Sequence, residues 1–241
     1  MQPSMPAPID VVAFVRTGLR PLADANVAAK MGAYLKSDQP MFGVSEPNRR
    51  PIYRALAKEF PPSDAKEYRA TVLALWTAGR WPDPPAKDLG QRDFRYAACA
   101  FAERFDEHHV PAHLPLWHRL IAEGAWWDLV DWVACKIVSP TMLEHRAKTL
   151  PVMLRWIDDP SMWVRRAAIL CQIKHKEATD DGVLFDLCLR RADETDFFIR
   201  KAIGWALRQY AHTNPKGVRA FLAKHGDRLA PLSLREAKKH L

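Results

Sequence analysis

The residues best suited to chemistry lie near the middle of the chain, in Trp126-Trp127-Asp128-Leu129-Val130-Asp131. Two indoles and two carboxylates within six residues are an unusual content for a segment whose apolar spacing otherwise reads as a buried helix. On a helix, Trp127 and Asp131 are related as i and i+4, so a flat aromatic face and a carboxylate point the same way. A carboxylate beside indoles in a partly dehydrated cleft can stabilise positive charge that develops on a sugar as it loses its base. The question is what the rest of the chain builds around that pair.

Apolar residues recur at three and four positions through nearly every segment, while alternating stretches are almost absent and only ten glycines occur in 241 residues. The predicted fold is therefore all-α, with about a dozen helices. Predicted helices cover Ile9 to Gly18, Asp24 to Lys36, Arg50 to Glu59, Ser63 to Thr77 and Phe197 to Tyr210. Candidate N-caps are Ser139 before Pro140, Asp159 before Pro160, Asn214 before Pro215, and Ser233 with Glu236 three residues on. A proline-bearing loop, Asp38 to Asn48, delivers Arg49 and Arg50 to the start of a helix, where free N–H groups and the helix dipole favour a phosphate. The plainer alternative is a solvated pair of charges. Residues 1–8 read as a flexible tail, Trp81-Pro82-Asp83-Pro84-Pro85 as a stiff surface connection, and 9–241 as one repeat domain.

A repeat positions the central pair. Phe94-Arg95-Tyr96-Ala97-Ala98, Val130-Asp131-Trp132-Val133-Ala134, Val164-Arg165-Arg166-Ala167-Ala168 and Ile199-Arg200-Lys201-Ala202-Ile203 fall in one frame, which places Tyr96, Asp131, Arg166 and Lys201 35 residues apart. Such a period, with two helices per unit, marks an α-solenoid, and the absence of tetratricopeptide signature residues favours HEAT-like units. Asp131, Arg166 and Lys201 are then expected to be neighbours on a shared concave face. Trp205 and Arg208, at i+4 and i+7 from Lys201, extend the same stripe. The register breaks one step before Tyr96, at Pro61, so the N-terminal third is expected to be irregular.

The chain carries a formal charge of +8, and a basic surface gains from releasing the counterions condensed on nucleic acid. Charge alone is equally compatible with a soluble basic protein. No apolar run approaches the length of a membrane span, and no secretion signal opens the chain, so a cytoplasmic location is expected, on the nucleoid when bound to DNA. Cys99, Cys135, Cys171 and Cys188 are far apart in apolar helical contexts and are expected to be reduced, buried thiols. Asp106-Glu107-His108-His109, His113 and His118 match no zinc signature, and there is no phosphate-binding GxxxxGK[ST] loop.

A basic groove for a phosphate backbone, two indoles that suit a sugar, and one carboxylate together suit cleavage of an N-glycosidic bond. Trp126 to Asp131, Met162 to Gln172 and Phe198 to Tyr210 strongly resemble the AlkD-type DNA alkylation repair family, and the likeness extends through Pro40 to Arg50 and Asn214 to Leu241. The resemblance implies a HEAT-like alkylpurine DNA glycosylase. Such an enzyme removes N3- and N7-alkylated purines from duplex DNA with no metal or cofactor, and leaves the base in the stack. It places the catalytic aspartate on Asp131, the cleft tryptophans on Trp127 and Trp205, and backbone-binding arginines on Arg166 and Arg208. Tyr34 corresponds to an aromatic that closes the cleft, and Lys201 suits a phosphate contact better than a lyase nucleophile. A monomer is expected. The alternative from another class is a HEAT-like scaffold that binds DNA or an acidic protein without catalysis. Asp131 discriminates, because a carboxylate in a groove built only to bind phosphate would repel it.

Overall fold

The computed structural model describes residues 8–79 and 90–241. The leading residues 1–7 and the expected connection from Trp81 to Pro85 lie outside them, whereas Pro8, assigned above to the tail, opens the first helix. Among the described residues every regular element is helical, and the architecture is an all-α helical repeat. The chain divides into two compact units, Met1–His108 and His109–Leu241.

The first unit contains α1 (Pro8–Leu19), α2 (Ala25–Leu35), α3 (Glu46–Glu59), α4 (Ala65–Ala78) and α5 (Gln91–Arg104). Its helix starts follow local chemistry. Asp24 caps α2 by accepting from the amides of Asn26 at 2.8 Å and Val27 at 3.1 Å. Asp64, rather than Ser63, caps α4 by accepting from Glu67 N, and the Glu67 carboxylate reaches back to Ser63 N at 2.8 Å. Pro61 falls in the link between α3 and α4, where the 35-residue frame was expected to fail. The helix expected from Arg50 begins four residues earlier, at Glu46, because Ser45 and Pro47 already supply a start.

The second unit runs through α6 (Leu114–Gly124), α7 (Trp127–Val133), a π-helical turn (Ala134–Val138), α8 (Ser139–Glu144), α9 (Arg146–Trp156), α10 (Met162–Ile169), α11 (Asp181–Arg190), α12 (Phe197–Ala211), α13 (Pro215–His225) and α14 (Pro231–Ala237). Asn214 caps α13 as expected, accepting from Gly217 N at 2.8 Å. Three other expected caps do something else. Ser139 is not an N-cap: α7, the π-helical turn and α8 follow without a break, with Ser139 itself in the right-handed helical region. Pro140 clashes with the carbonyl four residues back in a regular helix, and the wider turn before it relieves that conflict. The Ser139 hydroxyl instead donates to Ile173 O at 2.8 Å. Asp159 makes a turn in front of α10, accepting from Ser161 N at 2.8 Å and pairing with His118 at 2.7 Å, while Ser161 takes the cap position. Ser233 lies inside α14, its hydroxyl donating to Arg200 O at 2.8 Å.

The repeat is explicit where the site lies. Trp163 and Phe198, 35 positions apart at the second residue of α10 and of α12, have ring centroids 4.8 Å apart. Trp126, at the N-cap of α7, packs on both, at 6.0 and 5.7 Å. Three aromatic rings thus tie together the starts of α7, α10 and α12. One turn further along, α10 and α12 present Arg166 and Lys201, and α7 presents Asp131.

Candidate active site

Asp131 is held by a two-pronged ion pair. Arg166 Nε donates to Asp131 Oδ1 and Arg166 Nη2 to Oδ2, both at 2.7 Å, joining α7 to α10 across the 35-residue step. Parallel bonds of this kind fix the carboxylate plane as well as its charge. The third guanidinium nitrogen, Nη1, donates to Phe198 O on α12 at 2.5 Å. Arg166 is 4% exposed and Asp131 17%, so the pair sits at the floor of the face with the carboxylate nearer to water. Each carboxylate oxygen keeps a further lone pair for an incoming group.

A second carboxylate, Glu236 on α14, organises the cations of the same face. Its Oε1 accepts from Lys201 Nζ at 2.7 Å and Lys239 Nζ at 2.8 Å, and its Oε2 accepts from Arg208 Nη1 at 2.6 Å. Burial pushes the Glu236 carboxyl up, but hydrogen bonds and charge from Lys201 and Lys239 outweigh it and hold the group at about 2. In the sequence Glu236 stands out only as half of a helix cap. The signal that it is more was Gly204, in the middle of α12: a side chain there would place its Cβ 2.4 Å from Glu236 Cβ and 2.8 Å from Ser233 O.

Trp127, Asp131, Arg166, Lys201, Trp205 and Arg208 line one half-open cavity of about 290 Å³, and Phe197 and Phe198 complete it. The two phenylalanines were not foreseen as part of the face. The Arg166 guanidinium carbon lies 6.0 Å from the Trp205 ring centroid, so the same arginine anchors the carboxylate and abuts one indole. A wider hollow of about 400 Å³, lined by Arg219, Leu222, Ala223, Lys238 and Leu241, has no side-chain carboxylate and no aromatic ring. It offers nothing for the chemistry considered above.

The remaining candidates belong to the first unit. Tyr34 is 75% exposed on α2. Arg50 is exposed and pairs with Glu46 one turn earlier, at 2.6 Å. Arg49 is buried, its guanidinium carbon 4.1 Å from the Tyr96 ring centroid. Both arginines lie beyond the free N–H groups of α3, since the amide of Arg49 already donates to Ser45 O at 3.0 Å. The anion argument based on a helix N-terminus therefore does not apply to them. Tyr96 is a core residue whose hydroxyl accepts from Arg92 Nε at 2.9 Å.

All four cysteines are free thiols. Cys99, Cys171 and Cys188 are buried, while Cys135 is only partly so. Burial, and then the Asp131 charge, push the Cys135 thiol up to about 12. Although one turn from Asp131, it is a neutral thiol and no nucleophile at neutral pH. Among the described residues no group of three or more His, Cys, Asp or Glu side chains is placed to hold a metal ion. No helix among them is long and apolar enough to cross a membrane.

The profile of the DNA alkylation repair enzyme family matches residues 15–241. The chain belongs to this family. Among solved structures it is similar to that of a predicted DNA alkylation repair enzyme from Enterococcus faecalis, with 26% identity and a TM-score of 0.80, covering 91% of this chain and 96% of that one. No curated protein sequence matches the chain. Membership in the DNA alkylation repair enzyme family gives the protein a role in DNA repair, with DNA as its substrate class. For such an enzyme the cavity supplies a carboxylate, two indoles and two partly exposed cations, carried by α7 and α12, with Arg166 of α10 orienting the carboxylate.

Proposed function

We propose that the protein is a monofunctional DNA glycosylase that hydrolyses the N-glycosidic bond of N3- and N7-alkylated purines in duplex DNA. The observation that carries this reading is the Asp131 carboxylate, gripped at both oxygens by Arg166 in a cavity also lined by Trp127 and Trp205. An N7-alkylated guanine is already cationic and leaves as a neutral base, so no acid need protonate it. As the bond from C1′ to the base nitrogen breaks, the electron pair leaves with the base and positive charge spreads over the deoxyribose. Asp131 stabilises that charge and orients water, which adds its oxygen to C1′ and loses a proton. Trp127 and Trp205 pack against the sugar. Lys201 and Arg208 contact the backbone.

One feature supports leaving the base in the stack. The cavity volume lies at the lower edge of the range for pockets that enclose a small molecule, which suits a sugar edge better than a whole extruded nucleotide. Separately, Lys201, the lysine that lines the cavity, pairs with Glu236, which favours hydrolysis over a lyase reaction through a lysine amine. The test is incubation of methylated duplex DNA with the purified, chelator-treated protein, followed by chromatography of the freed bases. Release of 7-methylguanine or 3-methyladenine, leaving abasic sites in uncut strands, is expected. Absence of free base under conditions where the DNA is bound would sink the reading.

A second reading has one observation in its favour. Because Arg166 neutralises Asp131, the carboxylate need not repel phosphate, and it has a structural task in joining α7 to α10. A protein that only binds alkylated DNA could keep it for that reason. The same experiment decides between them.

A further inference from the structure

The arrangement around Glu236 has a use that the proposed reaction does not require. Lys201, Trp205 and Arg208 stand one turn apart on α12, so the two cations flank the indole. Left to themselves, a lysine and an arginine on a helix surface sample many rotamers and repel each other. Here both turn to one carboxylate behind the face, Lys201 through Oε1 and Arg208 through Oε2. The Glu236 side chain is 4% exposed, whereas Lys201 and Arg208 remain partly accessible. Gly204 lets α14 approach closely enough for this to happen, since any side chain there would collide with Glu236 and Ser233.

We propose that Glu236 is a positioning residue, which holds Lys201 and Arg208 on either side of Trp205 in the geometry that meets the DNA backbone. With Lys239 as third partner, three cations surround one carboxylate, and the cluster keeps a net positive charge while its members stay in place. The inference rests on the proposed DNA-binding face and not on base release.

Coulombic reasoning and positioning give opposite expectations for Glu236→Gln. Removing a negative charge from a DNA-binding surface strengthens binding if charge alone matters. If position matters, binding weakens although the surface becomes more positive. Each phosphate contact contributes a slope of about 0.9 in the logarithmic dependence on salt, or about eightfold in affinity at 0.1 M salt relative to 1 M. Disordering one or both cations therefore costs about eightfold to about sixtyfold.

The experiment is a salt titration of unmodified duplex binding for the wild type, E236Q, the pair K201A/R208A, and all three changes together. Expected are weaker binding and a lower slope for E236Q, and no further effect of E236Q once Lys201 and Arg208 are gone. Equal or tighter binding by E236Q overturns the proposal. So does a loss that persists undiminished without Lys201 and Arg208, because Glu236 would then act on the fold at large, and so does a wild type that fails to bind duplex. Should E236Q not fold, E236D, which keeps the charge but withdraws the carboxylate by one methylene, is read in the same cycle. Base release measured on the same preparations separates the two claims: binding that follows the expected pattern without base release removes the glycosylase reading alone.

Discussion

Arg166 offers a sharp test of how the site is held. A sequence reading makes it a phosphate contact, and Arg166→Ala would then weaken DNA binding and lower the salt slope by about one. The geometry favours a different task. All three nitrogens are engaged within the protein, two by Asp131 and one by Phe198 O, and the side chain is 4% exposed. Removing one partner of a buried, hydrogen-bonded pair typically costs 3–5 kcal/mol. Asp131 retains some contact with water, so the lower end, about 3 kcal/mol, is expected. For a chain of this size that corresponds to a fall in Tm of about 6–12 °C. Arg166→Lys keeps the charge but loses the planar fork, and should fall between the two. The assay is thermal unfolding by circular dichroism, paired with a salt titration of duplex binding at a temperature where the variants are folded. A salt slope reduced by one with an unchanged Tm would refute the positioning role and return Arg166 to the phosphate backbone.

Two further predictions concern packing and pH. Gly204→Ala should destabilise the protein by about 1–3 kcal/mol, because the new methyl group has no room against Glu236 and Ser233 O; an unchanged Tm would mean that α14 moves freely on α12. Two carboxylates should shape stability against pH in opposite directions. Burial pushes Asp93 up to about 6 against the lowering effects of the Phe42 amide and Arg49, so between about 4 and 6 the folded protein holds a proton that the unfolded chain has released. Its contribution is complete below about 4 and is lost as pH rises through 6. Glu236, held at about 2, contributes fully above about 4.5 and loses that contribution as pH falls through 2. Tm measured from pH 2 to 7 should show a shallower decline above pH 4 in Asp93→Asn and a shallower acid limb in E236Q; profiles parallel to wild type would contradict both assignments.

Much of this site was legible in the sequence because a repeat converts linear spacing into proximity. Once Asp131, Arg166 and Lys201 share a 35-residue frame, their helices stack and the three must meet, and the i, i+4, i+7 rule adds Trp205 and Arg208. What the spacing could not show was the partner of each charge. Asp131 and Arg166 read as a catalytic carboxylate and a phosphate contact, and at low exposure the carboxylate and the guanidinium also pair with each other. Glu236 read as part of a capping box because Ser-x-x-Glu has that form. Pro231 starts α14 two residues before Ser233, which frees the glutamate to face α12. The same competition moved the α10 start from Asp159 to Ser161. Pro140 looked like a helix beginning because a proline inside a helix is costly, and the π-helical turn that absorbs it leaves no mark in the sequence. In the first unit, the burial of Arg49 over Tyr96 was hidden because neither spacing nor composition reveals which arginine lies over an aromatic ring.

In the proposed reaction Asp131 serves the breaking of the glycosidic bond and not merely the joining of α7 to α10. Asp131→Asn leaves the Arg166 charge partly unpaired and will itself lower Tm, so the comparison belongs at a temperature where both proteins are folded and at saturating enzyme. The measurement is the single-turnover rate of 7-methylguanine release from a duplex with one lesion, for wild type and D131N. Release by the wild type and roughly hundredfold or more slower release by D131N are expected, with duplex affinity equal or greater. Release by D131N at the wild-type rate would contradict it.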